Sequence, residues 1–122
     1  MNAEAMLDSL FRAIDGKDAD AFAALLAPEC EFRFGNLPPV QGRTAVREFV
    51  AGFFASIAEL THTIEASWQV GDDLLCHGRV TYTRHDGSTL GVPFANILRT
   101  SSAGFSRYLI FADTSALYAP PA

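Results

Sequence analysis

The side chain best placed to do chemistry is Asp113, which closes the alternating run Phe105-Ser-Arg-Tyr-Leu-Ile-Phe-Ala-Asp113. Period-two geometry predicts a strand in which Phe105, Leu109, Phe111 and Asp113 share one face, so the acid looks into whatever those rings line. A carboxylate among rings needs partners or a raised pKa, and a shifted acid in a cavity is a candidate general acid or base. The competing expectation is that Asp113 caps the following loop, accepting N–H bonds from Thr114 and Ser115.

Two further groups could hold a ligand oxygen. Asn36 sits in Gly35-Asn-Leu-Pro-Pro-Val-Gln-Gly42, a stretch whose prolines and glycines fix the backbone and leave the amide free for a ligand, water or its own loop. Arg79 belongs to an alternating run with His77, Thr81 and Thr83, and parity leaves open which face of the sheet they occupy. On the neighbouring runs, His62 shares a parity with Trp68, and Phe94 shares one with Asn96 and Leu98.

The elements that must carry these groups follow from periodicity. A helix is expected from Ala3 to Asp15, stopped by Gly16, and a second from Ala19 to Ala27, with Asp18 as N-cap and Pro28 as its end. A short strand, Cys30 to Phe34, precedes the Gly/Pro loop. Val46, Phe49, Val50, Phe53 and Ile57 make an apolar stripe on a third helix, Thr44 to about Glu59, with Phe54 at its margin. From Thr61 the period changes to two, predicting strands Thr61–Val70, Leu74–Arg84, Leu90–Thr100 and Phe105–Asp113 joined by hairpins. Pro93 is expected at a strand start or bulge. Helices first and a curled antiparallel sheet afterwards make an α+β layout, one domain over residues 1–122.

Composition narrows the function classes. Among 122 residues ten are Phe, which argues for a filled interior or a lined cavity. A net charge of −5 with scattered basic residues speaks against nucleic acid. No apolar run has membrane-spanning length, and the acidic start Met1-Asn-Ala-Glu-Ala-Met-Leu-Asp8 is unlike a signal peptide, so a cytoplasmic location is expected. Cys30 and Cys76 lack C-x-x-C spacing and read as reduced packing residues, and His62, His77 and His85 lack metal-site spacing.

In its order of elements, and in Phe34-Gly-Asn36-Leu-Pro38, Gly42-Arg-Thr-Ala-Val46 and the aromatic strand ending in Asp113, the chain resembles the nuclear transport factor 2-like superfamily. The branch it resembles holds SnoaL-like polyketide cyclases, ketosteroid isomerases and limonene epoxide hydrolase. That resemblance implies a conical, cystatin-like α+β barrel of three N-terminal helices on a curved sheet, with a deep apolar pocket for a hydrophobic small molecule. It further implies a homodimer through the sheet and no metal or cofactor. By the same resemblance Asp113 is the base, Asn36 the water-holding amide and Arg79 the oxygen-orienting cation, with Phe34, Phe53, Trp68, Thr81, Asn96 and Phe111 lining the pocket. Phe34 stands where the epoxide hydrolase has a Tyr and Thr81 where it has an acid. Against the isomerase, Phe32-Arg-Phe34 replaces the stretch holding the base, Phe11 falls near the oxyanion Tyr and Asn96 near the protonated Asp. The cyclases need a single acid near Asp113. The implied activity is acid–base chemistry of isomerase, cyclase or hydrolase type, and the alternative is a non-catalytic binding or dimerisation domain. A dehydratase-like reading would need His62 or His77 to meet Asp113 across the pocket.

Overall fold

A computed structural model describes residues 2–118 and shows an α+β architecture, helices packed on one face of a curved six-stranded sheet. Helix α1 spans Ala3–Asp15, capped by the Asn2 side chain, which accepts from Ala5 N, and α2 spans Ala19–Ala23, capped in the same way by Asp18. The second helix ends earlier than Pro28 predicts. Leu26 already belongs to β1, Leu26–Phe34, where it pairs with Phe105, because the sheet offers its backbone better partners than another helical turn would. A two-residue strand, β2 at Val40–Gln41, follows and pairs with β1. Helix α3 is Arg43–Ala55, and strands β3 Glu59–Val70, β4 Asp73–Thr83, β5 Thr89–Ser101 and β6 Gly104–Ala112 complete the chain.

Strand order is β2-β1-β6-β5-β4-β3, antiparallel except for β1 beside β6. The final hairpins form the expected meander, and the long return from β1 to β6 brings Phe32 and Tyr108 side by side. Pro93 lies inside β5 in regular register with Arg79, correcting the expectation of a strand start or bulge. It is tolerated there because β6 pairs only as far as Phe94, so the missing N–H falls where the neighbouring strand has ended.

Even-numbered residues of β4 and β5 face the helices: Leu74, Cys76, Val80 and Tyr82, then Phe94, Asn96 and Leu98 are buried, while His77, Arg79 and Thr81 are exposed. From α3, Val46, Val50, Phe54 and Ile57 are buried and Phe49 and Phe53 partly so, which moves Phe54 from the margin of the stripe to its centre. Each such side chain removed from water contributes about 1.5–3 kcal/mol. Lys17, in the left-handed region at φ 54, closes the seam by donating from Nζ to the carbonyls of Ile57 and Ala58 just beyond α3.

Candidate functional site

Between the helices and the sheet lies a hollow walled by rings, among them Phe22, Phe32, Phe34, Phe53, Tyr82 and Phe94. Its polar lining comes from His62, Asn96 and the phenols of Tyr82 and Tyr108. Space for the centre of a water-sized sphere is only about 30 Å³, so the rings nearly fill it. Phe34 and Phe53, with centroids 5.0 Å apart, also wall a second hollow of about 300 Å³ on the outside. Leu37, Phe49, Gly52, Ser56, Thr114 and Tyr118 complete that outer hollow. The two spaces thus share Phe34 and Phe53 as walls.

His62 contributes an imidazole to this wall. Strand β3 carries it inward opposite Val80, and the end of α1 brings Asp15 to meet it. Asp15 Oδ1 lies 2.6 Å from His62 Nδ1, and Asp15 Oδ2 accepts from the His62 backbone N at 2.9 Å. The imidazole is also held between Phe11, at 4.8 Å between centroids, and Phe94, at 5.1 Å and nearly perpendicular. A carboxylate on Nδ1 favours the tautomer with its proton there, which leaves the Nε2 lone pair to accept a proton. Burial pushes the phenols of Tyr82 and Tyr108 above their ordinary range, so both stay protonated as donors at neutral pH.

Of the residues expected at the site, the structure brings together Phe34, Phe53 and Asn96 in the pocket wall. Asp113 is not among them. It is exposed and accepts from the Ser115 backbone N at 3.0 Å, the loop-capping arrangement, and hydrogen bonds from Ser115 lower its carboxyl pKa below the ordinary 3.8. Phe111 is 54% exposed on the same outer face. The reason is a bulge: Arg99 pairs with Arg107 but Thr100 pairs with Phe105, so β6 holds an extra residue at Ser106. Beyond it parity reverses, putting Tyr108 and Ile110 inside and Leu109, Phe111 and Asp113 on the other side.

Trp68 is corrected for a similar reason. A bulge between Ile64 and Ala66 separates it from His62, and it stacks at 5.7 Å on His77, on the outer face. Arg79 and Thr81 face out with His77 because β4 alternates regularly and its even residues fill the core. Asn36 is exposed in the turn after β1, where Gly35, at φ 55, swings the chain away from the pocket. Sequence reasoning therefore missed the pairing of Asp15 with His62. The acid at the end of α1 was a visible signal, but its partner is fixed by the packing of α1 on β3.

A family model described as the SnoaL-like domain matches residues 7–105. The chain belongs to the SnoaL-like domain family. No curated protein sequence matches it. Among solved structures, it is similar to a protein from Jannaschia sp. CCS1 assigned as a SnoaL-like polyketide cyclase, at TM-score 0.83 and 20% identity over 97% of this chain and 92% of that one. A protein with a ketosteroid isomerase-like fold from Catenulispora acidiphila DSM 44928, in complex with trimethylamine, aligns at TM-score 0.81 and 18% identity over 91% of this chain and 86% of that one. TerC, co-crystallised with polyporic acid, aligns at TM-score 0.80 and 16% identity over 94% of both chains. At such identities the SnoaL-like neighbours share the fold alone.

Proposed function

We propose that this SnoaL-like chain is a small-molecule acid–base enzyme acting on a hydrophobic ligand, with His62 as its base and Asp15 as the group that orients it. The observation that carries the reading is the 2.6 Å contact between Asp15 and His62 in the wall of an apolar pocket. His62 Nε2 takes a proton from a carbon next to a carbonyl, the electron pair moves to the carbonyl oxygen, and the imidazolium returns the proton at the same or a conjugated position. Asp15 stabilises the imidazolium, and the neutral phenols of Tyr82 and Tyr108 supply donors for an oxyanion. The ligand enters from the outer hollow as Phe53 and Phe34 swing aside. TerC and the Catenulispora neighbour are each described with a small organic molecule, which supports a ligand-holding role for this fold.

The test is hydrogen–deuterium exchange at the α-carbon of 2-tetralone in D2O, followed by NMR. Exchange accelerated by the wild-type protein and lost in His62→Gln supports the reading, whereas equal acceleration by both rules His62 out as the base. The narrow inner space, about 30 Å³, favours a second reading, a dimerisation domain without chemistry. In that case the exchange rate of 2-tetralone stays at the buffer value. In either reading the chain pairs with a second copy through the outer sheet face, where Trp68 and Phe111 are more than half exposed. Sedimentation of wild type against Trp68→Glu checks this, and a monomeric wild type ends it. Among the described residues no helix is long and apolar enough to cross a membrane.

A further inference from the structure

Among the described residues Asn96 is the polar residue buried in the core, 2% exposed, on the inner face of β5. Its Nδ2 donates to Cys76 Sγ at 3.7 Å, and its Oδ1 has no partner among the described residues. A buried amide oxygen left without a donor is costly, and native interiors rarely keep one unless something else completes it. Asn96 lines the same hollow as His62, and the ring of Phe94, next to it along the inner face, touches the imidazole. Nothing in the acid–base reading above uses this oxygen.

We infer that Asn96 Oδ1 is the acceptor for a hydroxyl of the ligand, so the pocket takes a planar, ring-bearing phenol, enol or alcohol in preference to a hydrocarbon or an ether of the same shape. The inference rests on the pocket reading but not on catalysis. Most of the rest of the wall is aromatic, which suits a flat ring and leaves the hydroxyl as the polar handle. Asn96 Oδ1 has almost no free surface in the closed hollow, so a ligand hydroxyl reaches it as the rings move apart to admit the ligand. A ligand hydroxyl there supplies the missing hydrogen bond, and a methyl group does not. Because a site built around a buried acceptor leaves it unpaired when the donor is absent, discrimination against the unhydroxylated analogue is built in.

Phenol, toluene and anisole, alike in size and differing in the polar handle, are the probes, titrated by calorimetry and amide NMR into the wild type and Asn96→Leu. The ratio of phenol to toluene affinity is compared between the two proteins, which cancels the difference in hydration of the free probes. About a tenfold fall of that ratio in Asn96→Leu is expected, with toluene binding retained as the check that the variant is folded. In the wild type alone, phenol is expected to move the Asn96 side-chain amide resonances more than toluene does. An unchanged ratio overturns the hydroxyl inference while leaving the apolar pocket intact. Anisole losing most in the variant also overturns it, since the amide then presents its NH2 to the ligand. Binding of none of the probes to either protein overturns the pocket and the inference together.

Discussion

Asp15 and His62 stand 2.6 Å apart although they lie 47 positions apart in the chain, joining the last turn of α1 to the inner face of β3. With Oδ2 on the His62 backbone N and Oδ1 on the ring, one carboxylate fixes both where the strand sits and how its imidazole is turned. His62→Gln keeps the shape and removes the base, so turnover of any carbon-acid substrate falls by about 10²-fold or more. Asp15→Asn keeps the ring in place but weakens its preference for the Nδ1 proton, and a smaller loss at unchanged KM is expected. Steady-state kinetics on both variants, with circular dichroism to confirm folding, decides between a working pair and a latch. Full activity in both variants would leave only the latch.

Asp113 gives the opposite expectation. Its carboxylate is on the surface, and hydrogen bonds from Ser115 hold its pKa below 3.8. A group whose pKa is lowered on folding contributes stability that is present above its unfolded value and lost as pH falls through the folded one. Any loosening of the turn after β6 therefore belongs below about pH 3.8 and not near neutrality. Asp113→Asn leaves activity unchanged within twofold. NMR titration of the carboxyl carbon should give a midpoint under 3.8, and an elevated midpoint would restore Asp113 as a poised acid.

Why the elements were legible and the site was not follows from where the information lies. The stripe Val46, Val50, Ile57 and the alternation of β4 are local, and each predicted its element to within a few residues. Facing, by contrast, is counted along a strand, and one extra residue reverses the count. Ser106 in β6 and the irregularity after Ile64 in β3 have no distinctive side-chain signature, and they turn Asp113, Phe111 and Trp68 outward. Phe34, Phe53 and Asn96 lie on β1, α3 and β5, outside the reach of those two irregularities, and line the hollow.

Gly78 marks how closely β4 is held against the bulged strand. A Cβ added there would lie 1.9 Å from the Thr63 carbonyl oxygen and 3.1 Å from the Glu65 nitrogen, both backbone atoms that cannot turn aside. Gly78→Ala must open the β3–β4 ladder next to His62, at a cost of more than about 2 kcal/mol. A fall in the thermal midpoint of several degrees is expected, together with weaker protection of the His62 amide in hydrogen exchange. A midpoint within a degree of wild type would mean that the strands are not held this tightly.

Cys30 and Cys76 are buried thiols whose pKa values are pushed up to about 11. Burial is the main cause for both, reinforced at Cys30 by Glu29 and Glu31 and opposed at Cys76 by Asn96. Since the thiolate is the nucleophile, neither should react with a chromogenic disulfide at pH 8 until the protein is denatured. The unfolded thiols ionise near 9 and the folded ones near 11, so the stability this provides is complete below about pH 9 and is lost as pH rises through about 11. Rapid labelling of the native protein at pH 8 would show that the core opens far more often than its packing implies.

Phe53, together with Phe34, lines both the inner and the outer hollow. Its ring lies 5.0 Å from Phe34 and, edge-on, 5.9 Å from Tyr82, and it stays partly exposed while lining both spaces. Phe53→Ala merges the narrow inner space with the outer hollow of about 300 Å³, giving a continuous cleft of the size that holds small organic molecules. Because the ring is only partly buried, the loss of stability should stay near 2 kcal/mol, below that of a fully enclosed Phe. Affinity for an apolar dye such as Nile red should rise about tenfold as the ordering cost of moving the ring disappears. Dye fluorescence and thermal unfolding measured on the same samples test both halves, and unchanged dye binding in a folded variant would show that entry to the pocket lies elsewhere.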